Sequence, residues 1–286
     1  MDFRGTTLYY INLRRAGERD RTLRQRLSEL GLAATRIEAV DGAALPGDLP
    51  GFRQNLYGWT HGRELRPGEI GCQLSHLRAL ETFYASAAEF ALIFEDDAIL
   101  DASLPSLVAA LTSGEAPRDW DLVKLQSIHR SKPVRLRPLD GGHWLAAMLY
   151  RTSGAAAYLV NRHAARVLLE RLLPMRVPYD HAFDRGWFLG LRVRAVYPFP
   201  VRCDWGEGAP VSAIENIRPR HLGGLPFATT MLYRAATESA RFASALAARF
   251  ARSGQRAGCG GRRFDDPPLE ELTGIYCRNR ELWKSF

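Results

Sequence analysis

Lysine is nearly missing from this 286-residue chain: Lys124, Lys132 and Lys284 are the only three, against 36 arginines. A GC-rich coding sequence is enough to explain that preference, so it excludes nothing by itself. Other absences exclude more. No run of uncharged apolar residues approaches the roughly 18 needed to span a bilayer. The opening "MDFRGTTLYYINL" holds no apolar stretch behind a basic start, so no secretory leader is expected. The four cysteines, Cys72, Cys203, Cys259 and Cys277, show no CxxC or other metal-ligand spacing. A core forms at this length without disulfide staples, and reduced thiols in a cytoplasmic compartment are expected. There is no GxxxxGK[ST], no GxGxxG and no GxSxG, which sets aside phosphate-loop, dinucleotide and serine-hydrolase readings.

The composition that remains, 46% apolar and 24% charged, is that of a globular protein. The net charge of +8 is local: Arg218–Arg263 holds nine arginines and one acid, Glu238. The rest is close to neutral, so a body with a basic tail is expected, and no nucleic-acid partner. Along the body, Thr7–Leu13 reads as a strand. Leu23, Leu27 and Leu30 mark a helix stopped by Gly31, and Thr35–Val40 reads as a second strand closed by the turn pair Asp41-Gly42. This is the start of a parallel α/β sheet. Pro46–Arg66 reads as loop and Gly68–Ser86 as a helix with Leu74, Leu77, Leu80 and Phe83 or Tyr84 inward. Phe90–Leu100 and Trp120–Gln126 read as strands around a helix at Leu104–Leu111. Arg130–Gly142 reads as a polar loop, Ala156–Val160 as a strand turning into a helix near Arg162, and Arg192–Val201 as the last strand. The tail holds a helix over Tyr233–Arg252, with Leu232, Phe242, Leu246 and Phe250 on one side. A flexible break follows at Ser253–Arg263.

The chemistry concentrates in "ALIFEDDAIL", where an apolar strand runs into Glu95, Asp96 and Asp97. Adjacent carboxylates raise one another's pKa, and burial adds to the cost, so solvent, a helix N-terminus or a cation must answer the charge. Strand alternation points Glu95 and Asp97 one way and Asp96 the other. Two oxygen ligands on one face suit Mg²⁺ or Mn²⁺ at the carboxyl end of a strand, where open α/β sheets bind ligands. Spacing alone leaves open a solvated turn that caps the next helix. Ser75 and His76 fall in the first turns of a helix, where anions are favoured. Asp180 follows a proline at a helix start, and Lys124 ends a strand at the same sheet edge, within reach of a phosphate.

Taken in order, "YYINLRRAGERDRTL", "RIEAVDG", "GEIGCQLSHLRAL", "ALIFEDDAIL", "SGAAAYLVNRHAARVLL" and "VPYDHAF" resemble glycosyltransferase family 25 over roughly residues 7–215. That family includes bacterial lipopolysaccharide and lipooligosaccharide β-galactosyltransferases and collagen galactosyltransferases. The resemblance implies a GT-A-like α/β domain over 1–217, with a nucleotide-sugar half to about 127 and an acceptor half beyond. The basic helical extension would be 218–286. It implies inverting transfer of a sugar, galactose above all, from a UDP-sugar to a cell-envelope glycan or glycolipid. Asp97 with Glu95 would hold Mn²⁺ or Mg²⁺, and Asp96 would meet the ribose or donor sugar. Asn12, Arg15, Arg19 and Asp41 would surround uridine. Ser75, His76 and Lys124 would line the donor side, and Asp180 would be the general base. The same acids would also serve a metal-dependent phosphohydrolase, and the tail alone a lipid- or nucleic-acid-binding protein. Arg234, Arg241, Arg249, Arg252 and Arg256 would dock on anionic lipid, holding the chain on the inner face of the cytoplasmic membrane.

Overall fold

The computed structural model describes residues 3, 5–204, 221–250 and 266–286. The chain opens with β1 (Thr6–Asn12), α1 (Gly17–Glu29) and β2 (Thr35–Glu38), then α2 (Gln54–His61), α3 (Pro67–Ala85), β3 (Phe90–Glu95), β4 (Ala98–Leu100) and α4 (Leu104–Thr112). The middle holds β5 (Leu122–Lys124), β6 (Pro133–Pro138), β7 (Trp144–Met148), β8 (Ala157–Asn161) and α5 (Arg162–Arg171). Short helices α6 (Tyr179–Ala182) and α7 (Gly186–Leu189) lead to β9 (Val193–Tyr197) and β10 (Val201–Cys203). The chain closes with α8 (Leu225–Phe250), α9 (Ile275–Arg278) and α10 (Arg280–Lys284).

Eight strands form one sheet in the order β2-β1-β3-β8-β5-β9-β7-β6, and β10 pairs with β4 outside it. Six of the eight run the same way; β8 and β7 oppose them. Alternation sorts the two faces. Tyr9, Ile11, Ile93 and Tyr158 join one core with Leu74, Leu77 and Leu80 of α3. Leu8, Tyr10, Leu92 and Leu159 join the other with Leu23 and Leu27 of α1 and Leu107 of α4. The result is a three-layer α/β sandwich whose buried leucines each contribute about 2–5 kcal/mol against alanine. Helix starts are chemically marked. Pro67 opens α3, and Glu69 reaches back to the Arg66 N–H at 3.0 Å. The Asn161 side chain accepts the Ala164 N–H at 2.8 Å to open α5.

Several expectations needed correction. Pro46–Arg66 is not all loop, because it holds α2, with Tyr57 and His61 buried. Arg130–Gly142 holds β6, an edge strand whose partner β7 went unread. The Arg192–Val201 strand is two, separated at Pro198–Pro200. The strand through Leu100 breaks at Asp96-Asp97. The tail helix packs by an unexpected face: Thr230, Arg241 and Ala245 are buried, while Leu232 (72% exposed), Phe242, Leu246 and Phe250 (79%) face outward. Arg241, expected on lipid, forms an ion pair with Asp184 at 2.7 Å, each side chain 5% exposed, under the Trp187 ring. Arg234 donates to the His61 carbonyl at 3.2 Å, and Arg249 stays exposed. Arg252, Arg256 and the break at Ser253–Arg263 lie outside the described residues. Beyond α8, Leu272, Tyr276 and Trp283 join the core on the α3 side. Among the described residues, no disulfide forms at Cys72, Cys203 or Cys277, and no helix is long and apolar enough to cross a membrane.

Because the Arg241–Asp184 pair is fully enclosed, removing one partner strands a charge. Arg241→Ala is expected to cost about 3–5 kcal/mol in urea unfolding, where loss of an exposed pair costs under about 1. A loss below about 1 kcal/mol would mean that α8 is only loosely attached.

Candidate functional site

The common direction of β1, β3 and β5 brings Asn12, Glu95 and Lys124 to one sheet edge. Ile11 is opposite Glu95, and Lys124 is opposite Tyr158 of the oppositely running β8. The segment 149–156 therefore enters the sheet at the same edge, and the Glu95 N–H donates to the Ala156 carbonyl at 2.9 Å.

The three acids do not keep strand alternation, because the chain turns at Asp96-Asp97. Each carboxylate goes its own way. Asp96 accepts from Asn12 Nδ2 at 2.8 Å and from Arg19 at 3.2 Å. Burial nonetheless raises its carboxyl above the usual range. Glu95 lies 2.9 Å from His76 Nε2. Asp97 has one buried oxygen, Oδ1, with no hydrogen-bond partner. Burial, then Glu95 and Asp96, push its carboxyl up to about 7.

His76 does not line an open pocket. It is 1% exposed and stacked on Tyr179, with ring centroids 4.0 Å apart. The Tyr179 hydroxyl donates to the Tyr158 hydroxyl at 2.9 Å, which lies 3.1 Å from His76 Nδ1. With Tyr158 donating, Nδ1 accepts and Nε2–H is left to donate to Glu95. The ring thus bridges the Tyr158 hydroxyl and Glu95 and orients this carboxylate from behind.

Ser75 is likewise structural. Its hydroxyl donates to the Gly71 carbonyl at 2.6 Å and accepts the Val40 N–H at 2.8 Å, which leaves it closed to a donor sugar. It fastens α3 to the exit of β2, where glycines are required for room. A Cβ on Gly71 would lie 2.6 Å from the Val40 carbonyl oxygen, and one on Gly42 2.0 Å from that of Pro67. Gly42 thus serves close approach rather than a turn. Nearby, Arg15 pairs with Asp41, whose side chain also accepts the Ala43 N–H.

Asp180 opens α6 and accepts the Gly154 N–H at 2.8 Å. Burial would raise its pKa, but His181, Gly154, Lys124 and Arg151 together hold it below the usual carboxylate range. Lys124 is buried; its ammonium donates to the Thr152 carbonyl and lies 4.8 Å from the Phe183 ring centroid, so it is no free phosphate ligand. Burial lowers its pKa, against Asp184, Asp180 and Glu95. Asp180 and Glu95 both act on the Cys72 thiol, which burial and these charges raise well above its usual value. The acidic turn and Asp180 thus both lie within electrostatic reach of Cys72.

Sequence reasoning missed Cys72, Tyr158 and Tyr179. Ligand atoms of Cys72, His76 and Glu95 lie within 4.8 Å of one another. The i, i+4 spacing of Cys72 and His76 on one helix face was the available signal. The tyrosines gave none, since each looks like core. Asp97 and Glu95 are the candidate oxygen ligands of a hard cation, and Asp180 is the candidate proton acceptor.

The family model described as "Glycosyltransferase family 25 (LPS biosynthesis protein)" matches residues 6–183. Among curated relatives, a "Glycosyltransferase 25 family member" of Aedes aegypti is 32% identical over 189 residues, 60% of this chain and 29% of that protein. "Procollagen galactosyltransferase 1" of Danio rerio is 31% identical over 59% of this chain and 30% of its own length. "Inactive glycosyltransferase 25 family member 3" of Homo sapiens is 28% identical over 59% and 31%. The matches thus span about a third of the length of these relatives.

The glycine corner makes a prediction that separates room from backbone freedom. Gly71→Ala is expected to cost about 1–3 kcal/mol by overpacking. Gly17→Ala, at a helical position with nothing within 4 Å of the added carbon, is expected to cost nothing. Equal urea midpoints for the two variants would refute the close contact.

Proposed function

The chain belongs to glycosyltransferase family 25, and we propose that it transfers a sugar, galactose above all, from a UDP-sugar to a cell-envelope glycan with inversion. The observation that carries the proposal is Asp97, a carboxylate with a buried partnerless oxygen beside Glu95 at the carboxyl end of β3. That donor set fits Mn²⁺ or Mg²⁺: oxygen ligands, a carboxyl that burial and its neighbours have made costly to ionise, and an orphaned polar atom. Asp97 and Glu95 would hold the ion, which when bound supplies charge neutralisation for the leaving diphosphate.

The remaining work falls to the chain's own groups. His76 keeps Glu95 aimed, and Asn12 and Arg19 fix Asp96 at the end of β1, where the ribose or donor sugar would rest. Arg15 and Asp41 border the uridine side. Asp180, ionised and held by Gly154, would take the proton of the attacking acceptor hydroxyl. Docking on an anionic membrane surface, and with it a place on the inner face of the cytoplasmic membrane, draws support from the outward apolar stripe of α8 with Arg249. It draws none from Arg241.

Turnover of UDP-galactose should require a divalent cation and stop with EDTA. Asp97→Ala should abolish the metal stimulation, and Asp180→Asn should lower kcat by about 10²–10⁴. Full activity in Asp97→Ala would sink the metal role. A thermal-shift screen of nucleotide sugars with and without Mn²⁺ tests the donor separately, because a bound donor raises the midpoint beyond the shift given by Mn²⁺ alone. In flotation with anionic vesicles, Phe242→Ser with Leu246→Ser should release the chain; unchanged flotation would remove α8 from the membrane reading.

A further inference from the structure

Helix α3 brings a thiol and an imidazole to the end of β3, and the proposed reaction uses neither as a ligand. Cys72 and His76 stand four residues apart, so both lie on one face of the helix. One ligand atom from each, and one from the Glu95 carboxylate, lie within 4.8 Å of one another. His76 Nε2 is 2.9 Å from Glu95 Oε1. Among the described residues, no other three thiol, imidazole or carboxylate groups converge in this way. The thiol is open to a ligand. Cys203 accepts from Gln126 at 3.1 Å and Cys277 lies 3.8 Å from the Leu169 carbonyl, whereas Cys72 Sγ has no hydrogen-bond partner among the described residues.

The imidazole is braced as a metal ligand requires. Nε2 faces Glu95, while Nδ1 lies 3.1 Å from the Tyr158 hydroxyl, itself 2.9 Å from the Tyr179 hydroxyl. A ring that ligates through Nε2 carries its proton on Nδ1, and the Tyr158 oxygen is placed to accept it. An ion would enter from the Glu95 side, since that side chain is 28% exposed and the His76 ring 1%. The donor set selects the ion. Mg²⁺ and Mn²⁺ take oxygen, whereas thiolate, imidazole and one carboxylate are the ligands of zinc. Around zinc, ligand atoms about 2.0–2.3 Å from the metal stand roughly 3.3–3.7 Å apart in a tetrahedron. The widest separation here closes to that by about 1 Å at most, within reach of a turn of the Cys72 and Glu95 side chains. Binding releases the Cys72 thiol proton to solvent, moves the ring proton to Nδ1 and changes no oxidation state. Three protein ligands leave the fourth position to water.

We propose that Cys72, His76 and Glu95 form a zinc site, and that zinc bound there draws Glu95 away from the ion at Asp97 and so inhibits transfer. The zinc site stands on its own geometry. Its inhibitory effect rests on the transferase reading, in which Glu95 and Asp97 share a hard cation.

The test titrates the reduced full chain with Co²⁺, and with Zn²⁺ against a chromophoric chelator. Co²⁺ should give a sulfur-to-cobalt charge-transfer band, which oxygen ligation at Asp97 cannot give, and one equivalent of Zn²⁺ should bleach it. Cys72→Ser should remove the band and weaken zinc by at least about 100-fold, the upper end of what loss of an outer-shell partner costs. Cys203→Ser and Asp97→Ala should keep the band. Thermal unfolding verifies that each variant is folded, and if Cys72→Ser is not, Cys72→Ala decides. In UDP-galactose turnover supported by Mn²⁺, zinc should inhibit the wild type and spare Cys72→Ser. A wild type without the band would overturn the site, as would a band that survives in folded Cys72→Ser or is lost in Cys203→Ser. Equal zinc inhibition of the wild type and Cys72→Ser would overturn the link to Glu95. Turnover with no band refutes the zinc site alone, and the band with no turnover under any divalent cation refutes the transferase reading alone.

Discussion

Negative charge at the end of a buried strand has to be answered, and the arrangement of this molecule around β3 follows from that constraint. Glu95, Asp96 and Asp97 leave the sheet together, and burial raises the carboxyls of Asp96 and Asp97. Asp96 is answered by Asn12 and Arg19, Glu95 by His76 with two tyrosines behind it, and Asp97 only in part. The elements that supply the answers are β1, α1, α3, α6 and β8, so the layers on both faces of the sheet are coupled to one turn.

Charge also varies across the site. Acids gather at the turn after β3, where Asp96 meets Asn12 at the end of β1, and arginines follow β1 at Arg14, Arg15 and Arg19. Asp180 lies under the influence of His181, Lys124 and Arg151. A carboxylate so placed remains ionised well into acid. Its low basicity suits proton acceptance only if the departing group creates the driving force in the same step.

Where burial is two-sided and local, the sequence was readable. Strand β1 and helix α3 sit close to their expected bounds, because their apolar residues repeat at 2.0 and 3.6 and both faces or one full stripe are covered. Strands β6 and β7 were not readable. "PVRLRP" is a half-exposed edge begun and ended by proline, and "WLAAM" fills its core positions with alanine; each makes sense only beside the other. In α8 the largest apolar residues face outward, since the buried face is built from Thr230, Ala245 and the Arg241–Asp184 pair, a partnership across 57 positions that no periodicity reveals. The acidic turn was found by composition. The roles assigned to Ser75 and Lys124 failed because their partners, Val40, Gly71 and Thr152, are backbone groups brought in by tertiary structure.

The corner formed by Gly42 and Gly71 has a consequence for mechanical precision. Helix α3 carries Glu69, Cys72, Ser75 and His76 on one rigid rod of 19 residues, and it meets the sheet where side chains are missing. A rod held at a zero-clearance contact has no slack in its translation. A displacement of a few tenths of an ångström at Gly71 would therefore reach His76, and through it Glu95, almost undiminished. The alignment of the site is thus set by two carbon atoms that are not there.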